Sequence, residues 1–230
     1  MNKVKINLSR IHYFIIQYMV NNGFAPRISE IASHFQIPEE RTILELQALQ
    51  DYHGVVLHPY TSEVWVIHPF SNAPTNCYLK SERGSWWSSC IWCALGAAAL
   101  IKEDLSISTT IGAESKKVVI EIKKGKILNP NLYVHFPIPM KNAWDNVVYT
   151  CSTMLLFEKK DQIKDWSQRH NIPIGDIQPI NLIWEFSKKW YRNHLNSDWK
   201  KWTVEEARKI FREFGLKHKI WDLENSSERF

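Results

Sequence analysis

The cysteines carry the first candidate chemistry. Cys90 and Cys93 enclose Ile91 and Trp92 in a C-x-x-C spacing, which on a helix turns both sulfurs to one side. At a helix N-terminus, exposed peptide N–H groups and the positive dipole end favour the thiolate, the form that ligates metals and attacks electrophiles. Cys151 sits in an apolar, strand-like run, Tyr149-Thr150-Cys151-Ser152-Thr153, and Cys77 lies in a polar segment with no evident partner. The pair alone leaves three chemistries open. A structural zinc site wants four ligands, and the chain has no second C-x-x-C and no H-x₃-H. A dithiol redox pair belongs after a strand, with a small residue or Pro between the cysteines, whereas Ile91 and Trp92 are bulky. Buried, inert thiols are the third reading, since Cys is among the most buried residue types.

The elements that would position these residues follow from periodicity. Ile11, Phe14, Ile15, Tyr18 and Met19 fall at helical spacing, and Asn22-Gly23 ends that helix. A short helix capped by Ser29 carries Ile31, Ala32 and Phe35. A third, Glu39 to about Asp51, sets Ile43, Leu46 and Leu49 on one face. Two strands, Val55–His58 and Glu63–His68, complete a winged helix-turn-helix order over residues 1–80. The segment from His68 to Gly84 reads as a linker and then a strand over 76–80. An apolar helix from Cys90 to Ile101, capped by Ser88 or Ser89, opens the second domain, 81–230. Strands are expected at 107–110, 118–122 and 132–136, and a strand or strand pair over Val147–Phe157. Helices are expected over 161–170 and 181–191, and a last one from Thr203, where Glu206 completes a capping box. Strands and helices without βαβ alternation predict an α+β fold with a mixed, largely antiparallel core.

Composition bounds the classes. The 230 residues are 44% hydrophobic and 13% aromatic, with eleven Trp, enough ring area for a sizeable core without disulfides. The longest apolar run, Ile91 to Ile101, is about half of a membrane span, so no membrane partner is expected. The N-terminal apolar segment carries His12 and Gln17 and no small-residue cleavage site follows, which argues against a signal peptide. Four cysteines in a chain of this size read as reduced thiols in a cytoplasmic protein. The net charge is +5, yet residues 1–70 hold five Lys and Arg against six Asp and Glu. The would-be recognition helix offers Glu39, Glu40 and Glu45 against Arg41. DNA binding is therefore not expected, because affinity for nucleic acid comes first from cations on phosphates.

The run Trp86-Trp87-Ser88-Ser89-Cys90-Ile91-Trp92-Cys93-Ala94-Leu95-Gly96 resembles the active-site helix of the organomercurial (alkylmercury) lyase family. His68-Pro69-Phe70-Ser71-Asn72-Ala73-Pro74-Thr75 resembles that family's wing-to-core junction, and Trp190-Tyr191-Arg192-Asn193-His194-Leu195 and Thr203-Val204-Glu205-Glu206-Ala207 its C-terminal part. The resemblance implies protonolysis of a carbon–mercury bond, with Hg(II) as substrate and product, no required cofactor, and a thiol reductant or mercury-accepting protein to receive the metal. It maps the family's two catalytic cysteines onto Cys90 and Cys151. The catalytic aspartate position is Cys93 here, and a structural cysteine of the family, near Ile111, is absent. On this reading Cys151 captures mercury, Cys90 is its helix-borne partner and can hand over its thiol proton, and Cys93 is either the acid or a third sulfur ligand. Three sulfurs make a soft site, suited to Hg(II) or Cu(I) over Mg or Ca. Two further readings stand beside it: a soft-metal thiolate-binding protein without turnover, and a metal-responsive winged-helix regulator.

Overall fold

The structure, a computed structural model, describes residues 7–224. Helices α1 (Leu8–Asn22), α2 (Ile28–Phe35) and α3 (Glu39–Asp51) come first, followed by a hairpin of β1 (Val56–Leu57) and β2 (Val64–Ile67). Asn7 caps α1 by accepting from Ser9 N, and Gly23, at φ 82°, ends it. Arg27 rather than Ser29 is the N-cap of α2, and Glu30 reaches back to the Arg27 backbone. In α3, Arg41 is paired with Glu45 on the same helix.

The hairpin leads straight into a large sheet. β3 (Phe70–Ser71) pairs with β2, which makes the expected linker partly a strand: Val66 faces Ser71 and Ile67 faces Phe70. Next come β4 (Cys77–Ser81), β5 (Ser85–Ser88), α4 (Ile91–Ile101), β6 (Leu105–Thr110), β7 (Lys117–Lys123) and β8 (Lys126–Ile127). The eight strands order as β1-β2-β3-β5-β4-β6-β7-β8, all neighbours antiparallel. A second, three-stranded sheet sets β9 (Tyr133–Phe136) between β10 (Leu156–Phe157) and β11 (Asp176–Pro179). α5 (Val147–Thr153), α6 (Lys160–His170), α7 (Ile180–Tyr191) and α8 (Val204–Glu213) complete the α+β architecture. The capping box of α8 forms as its sequence predicts, with Thr203 and Glu206 bonded reciprocally.

α4 is the axis of the core. Ten of its eleven residues are buried, which is why its sequence has no polar face. It packs against β3, β4, β5 and β6 on one side and α7 on the other. Trp86 closes the space beneath α1, donating its indole N–H to Met19 O at 3.0 Å. No helix among the described residues is long and apolar enough to cross a membrane.

A candidate thiolate site between two cavities

The cap of α4 is Cys90 itself, not Ser88 or Ser89. Its backbone is extended (φ −160°, ψ 179°) and its Sγ accepts from Cys93 N at 3.3 Å. Ser88, on β5, instead donates to Pro69 O. A cysteine thus takes the role that Ser or Asp usually fills, and its sulfur sits against the exposed N–H groups of the first turn. Cys93 follows within that turn.

Cys151 reaches the site from α5. The stretch Val147-Val148-Tyr149-Thr150 favours a strand by propensity, but Asn146 caps a helix by accepting from Tyr149 N, and only Leu156–Phe157 becomes a strand. Helix α5 is two turns long, and it turns Cys151 inward with Thr150 and Thr153, the other buried residues of the segment.

The sulfurs of Cys93 and Cys151 lie with a ring nitrogen of His68 within 4.8 Å of one another. Each of the thiols Cys90, Cys93 and Cys151 interacts with the other two. Cys90 Sγ also lies 3.8 Å from Met154 Sδ. His68, from the turn between β2 and β3, places Nδ1 3.5 Å from Cys93 Sγ, and the Tyr191 hydroxyl lies 3.4 Å from the same sulfur. The sequence offered Cys90, Cys93 and Cys151 but not His68 or Tyr191. Tyr191 stands 98 residues from Cys93, so no local spacing could have shown the contact. The hint available was the pair of stretches around His68 and Tyr191 already singled out by resemblance.

Gly96 makes the Tyr191 contact possible. A Cβ there would stand 2.2 Å from Tyr191 Cδ2 and 2.4 Å from Cε2, so only glycine lets α7 lie this close to α4.

Burial alone would push the Cys93 thiol up. Its neighbours Cys151, Cys90 and His68 outweigh that, and it is held well below the ordinary thiol range. Burial raises Cys90 well above that range, and its neighbours Cys151 and Cys93 push it the same way. Cys151 is helped by the bond it accepts from Cys90. Its own donation to Cys93, its burial and the nearby negative charge leave it raised as well. Negative charge is therefore favoured on Cys93 over Cys90 and Cys151. Tyr191 stays protonated, since burial and the Cys93 charge both raise it, so its hydroxyl donates.

Two cavities meet at this cluster. One is walled by the rings of Trp92, Trp144, Trp190, Tyr191, Trp199 and Trp202, and Cys93 and Cys151 line it. The other, of about 980 Å³, is lined by Cys90, Cys151 and Cys77 with Thr75, Asn76 and Thr109. His68, Cys151 and Met154 line both. Cys77, expected to have no partner, is buried on β4 with Sγ 3.7 Å from Thr109 Oγ1, and burial raises its pKa to about 12. Glu103 and Asp104, the carboxylates nearest in sequence beyond α4, are engaged elsewhere: Glu103 with Ser81 and Arg83, Asp104 with Lys124 N. His170 pairs with Glu114, and His135 packs among Phe157 and Trp166.

The family model described as MerB, alkylmercury lyase, matches residues 70–192. The fold is similar to that of a solved chain described as the mercury-bound form of MerB2, at 13% identity and a TM-score of 0.64, covering 81% of this chain and 98% of that one. No curated protein matches the chain.

Proposed function

The chain belongs to the alkylmercury lyase family, and from that premise we propose how its sulfur cluster carries out the family's reaction, protonolysis of a carbon–mercury bond. The observation that carries the proposal is the meeting of Cys90, Cys93 and Cys151 at one buried point beside a ring-lined cavity. Thiolates are the softest ligands a protein has, and Hg(II) the softest of common substrates for them. An organomercurial R–Hg–X first meets Cys93, where charge is favoured, rather than Cys151, the capture residue that the resemblance implied, and X leaves as its anion. Cys151 then adds its sulfur to mercury. The electron pair of the C–Hg bond stays with carbon and takes the proton of Cys151 or Cys90. R–H departs and Hg(II) is left between sulfurs. A resident cofactor is not part of the scheme. The proton comes from a thiol because the carboxylate position of the family is Cys93 and no carboxylate stands in the cluster among the described residues.

Residues 1–80 are proposed as a winged helix-like scaffold and 81–230 as the catalytic and metal-binding core, with His68 contributed by the former. A small thiol, or a protein that accepts mercury, is proposed to take the product, in the reducing setting of a cytoplasm where four thiols persist.

The test is incubation of the purified chain with phenylmercury and excess thiol, with benzene measured by gas chromatography. Catalytic benzene release is expected. One observation favours a second reading, capture of soft metal without turnover: His68, Cys93 and Cys151 offer a ready imidazole–dithiolate ligand set. Stoichiometric uptake of Hg(II) with no benzene would install that reading in place of the lyase.

A further inference from the structure

The three cysteines of the cluster do not border the same space. Cys93 lines the ring-walled cavity and not the second one, Cys90 lines the second and not the first, and Cys151 lines both. Helix α5 is the partition: Val147 and Thr150 border the ring-walled side, Val148 and Ser152 the other. The two sides differ in chemistry. Indole and phenol rings wall the first, whereas Ser71, Thr75, Asn76 and Thr109 bring hydroxyls and an amide to the second. Rings suit a hydrocarbon body, and hydroxyls and amides suit a polar one. Cys90, Cys93 and Cys151 are all buried, so whatever removes mercury from them must come through one of these two spaces. The organic group takes the ring-walled side, and two bodies cannot share one side of a metal held between sulfurs.

We propose, resting on the lyase reading above, that the second cavity is the binding site of the mercury acceptor: a small thiol with polar substituents enters there and takes the metal from the Cys90 side, so that substrate and product pass the cluster in one direction. Mercury arrives on Cys93, is shared by Cys151 and ends between Cys151 and Cys90. Each removal step is a ligand exchange. The acceptor's thiolate forms an Hg–S bond, one cysteine Hg–S bond breaks, and the freed cysteine takes up the proton that the acceptor gave up. A second acceptor thiol repeats the step, Hg(II) leaves with two thiolates, and nothing is oxidised or reduced. Sulfur replaces sulfur, so ligand preference changes little and access to the metal sets the rate.

Neighbouring residues give a matched test, since Val147 and Val148 are both half-buried and stand on opposite sides of the partition. Two measurements are made on the full chain, on Val147→Trp and on Val148→Trp. In the first, the protein is in excess over phenylmercury and benzene release is timed in a single turnover. In the second, the protein is loaded with an equivalent of Hg(II), glutathione is added, and the mercury left on the chain after rapid desalting is measured against time. Val148→Trp is expected to slow removal about tenfold and to leave benzene release as it was. Val147→Trp is expected to do the reverse. Ser152→Trp, at an exposed position on the Val148 side, repeats the test should Val148→Trp fail to fold. Removal that neither Val148→Trp nor Ser152→Trp slows would overturn the proposal, and so would removal slowed as much by Val147→Trp. The second measurement needs no turnover. If the wild-type chain yields no benzene, the lyase reading fails by itself, and removal of the loaded Hg(II) still decides the route.

Discussion

Two buried polar clusters lie side by side in this molecule and treat charge in opposite ways. Around Cys93, Cys151, Cys90, His68 and the Tyr191 hydroxyl converge on one sulfur and favour a charge in the interior. Next to it, His12 stacks on Trp199 at 3.6 Å and 8°, and meets His194 edge-on at 5.6 Å. There burial, and the positive His194 that would face it, push His12 well below its usual value. Burial first, and then His68, takes His194 to about 3. Tyr191 touches both clusters: its hydroxyl is on Cys93 and its ring lies 4.9 Å from the His194 ring. Burial is common to the two, so burial does not decide which becomes reactive. The number of donors aimed at one atom does.

The comparison breaks first at Cys93. Cys93→Ala removes the atom on which the donors converge and leaves the imidazole stack intact. Benzene release from phenylmercury is expected to fall about 10³-fold, near 4 kcal/mol of transition-state stabilisation, with little change in melting temperature. Retained turnover would show that the charge sits on another sulfur.

The stack gives the complementary test. Both imidazoles have folded-state values below the unfolded value of about 6.5, so unfolding takes up protons once the pH falls under that value. Their neutral burial costs nothing above pH ~6.5, and stability falls by about 1.4 kcal/mol per pH unit for each histidine below it. That trend continues for His194 until the pH nears its folded value of about 3. Chemical denaturation at pH 7.5 and 5 is expected to show a loss of about 2 kcal/mol from His194, with a further loss in the same direction from His12 that His12→Leu removes. A flat profile would mean that these rings are charged in the fold.

The smallest effect is expected at the shared residue. Tyr191→Phe deletes one donor to the thiolate and keeps the ring against His194. Cys93 should move up, read from the ultraviolet absorbance of the thiolate against pH. The acid-side stability profile should keep its shape, and a change in it would tie the two clusters together electrically.

Much of the frame is legible in the residues. The amphipathic spacing of α1, the capping box at Thr203 and Glu206 and the apolar run of α4 each have one local cause, and each forms as expected. The site is legible in its sulfurs, because cysteine spacing is a local signal. Its tuning is not. Cys151 rides on a helix where β-branched residues suggest a strand, since the Asn146 cap and packing of Thr150 and Thr153 override propensity. His68 arrives from the wing side and Tyr191 from the end of α7. Contacts across 25 and 98 residues leave no periodic trace. Cys90 as its own helix cap was hidden by two serines with better intrinsic preference.

The missing side chain at residue 96 binds two otherwise separate properties into one. Because the phenol ring occupies the notch that a methyl group would fill, any enlargement there must slide one helix along the other or swing the hydroxyl off its sulfur. Acidity of the reactive thiol and spacing of the helix pair therefore cannot be adjusted independently. A larger residue at position 96 therefore costs the thiol its tuning and the two helices their approach together.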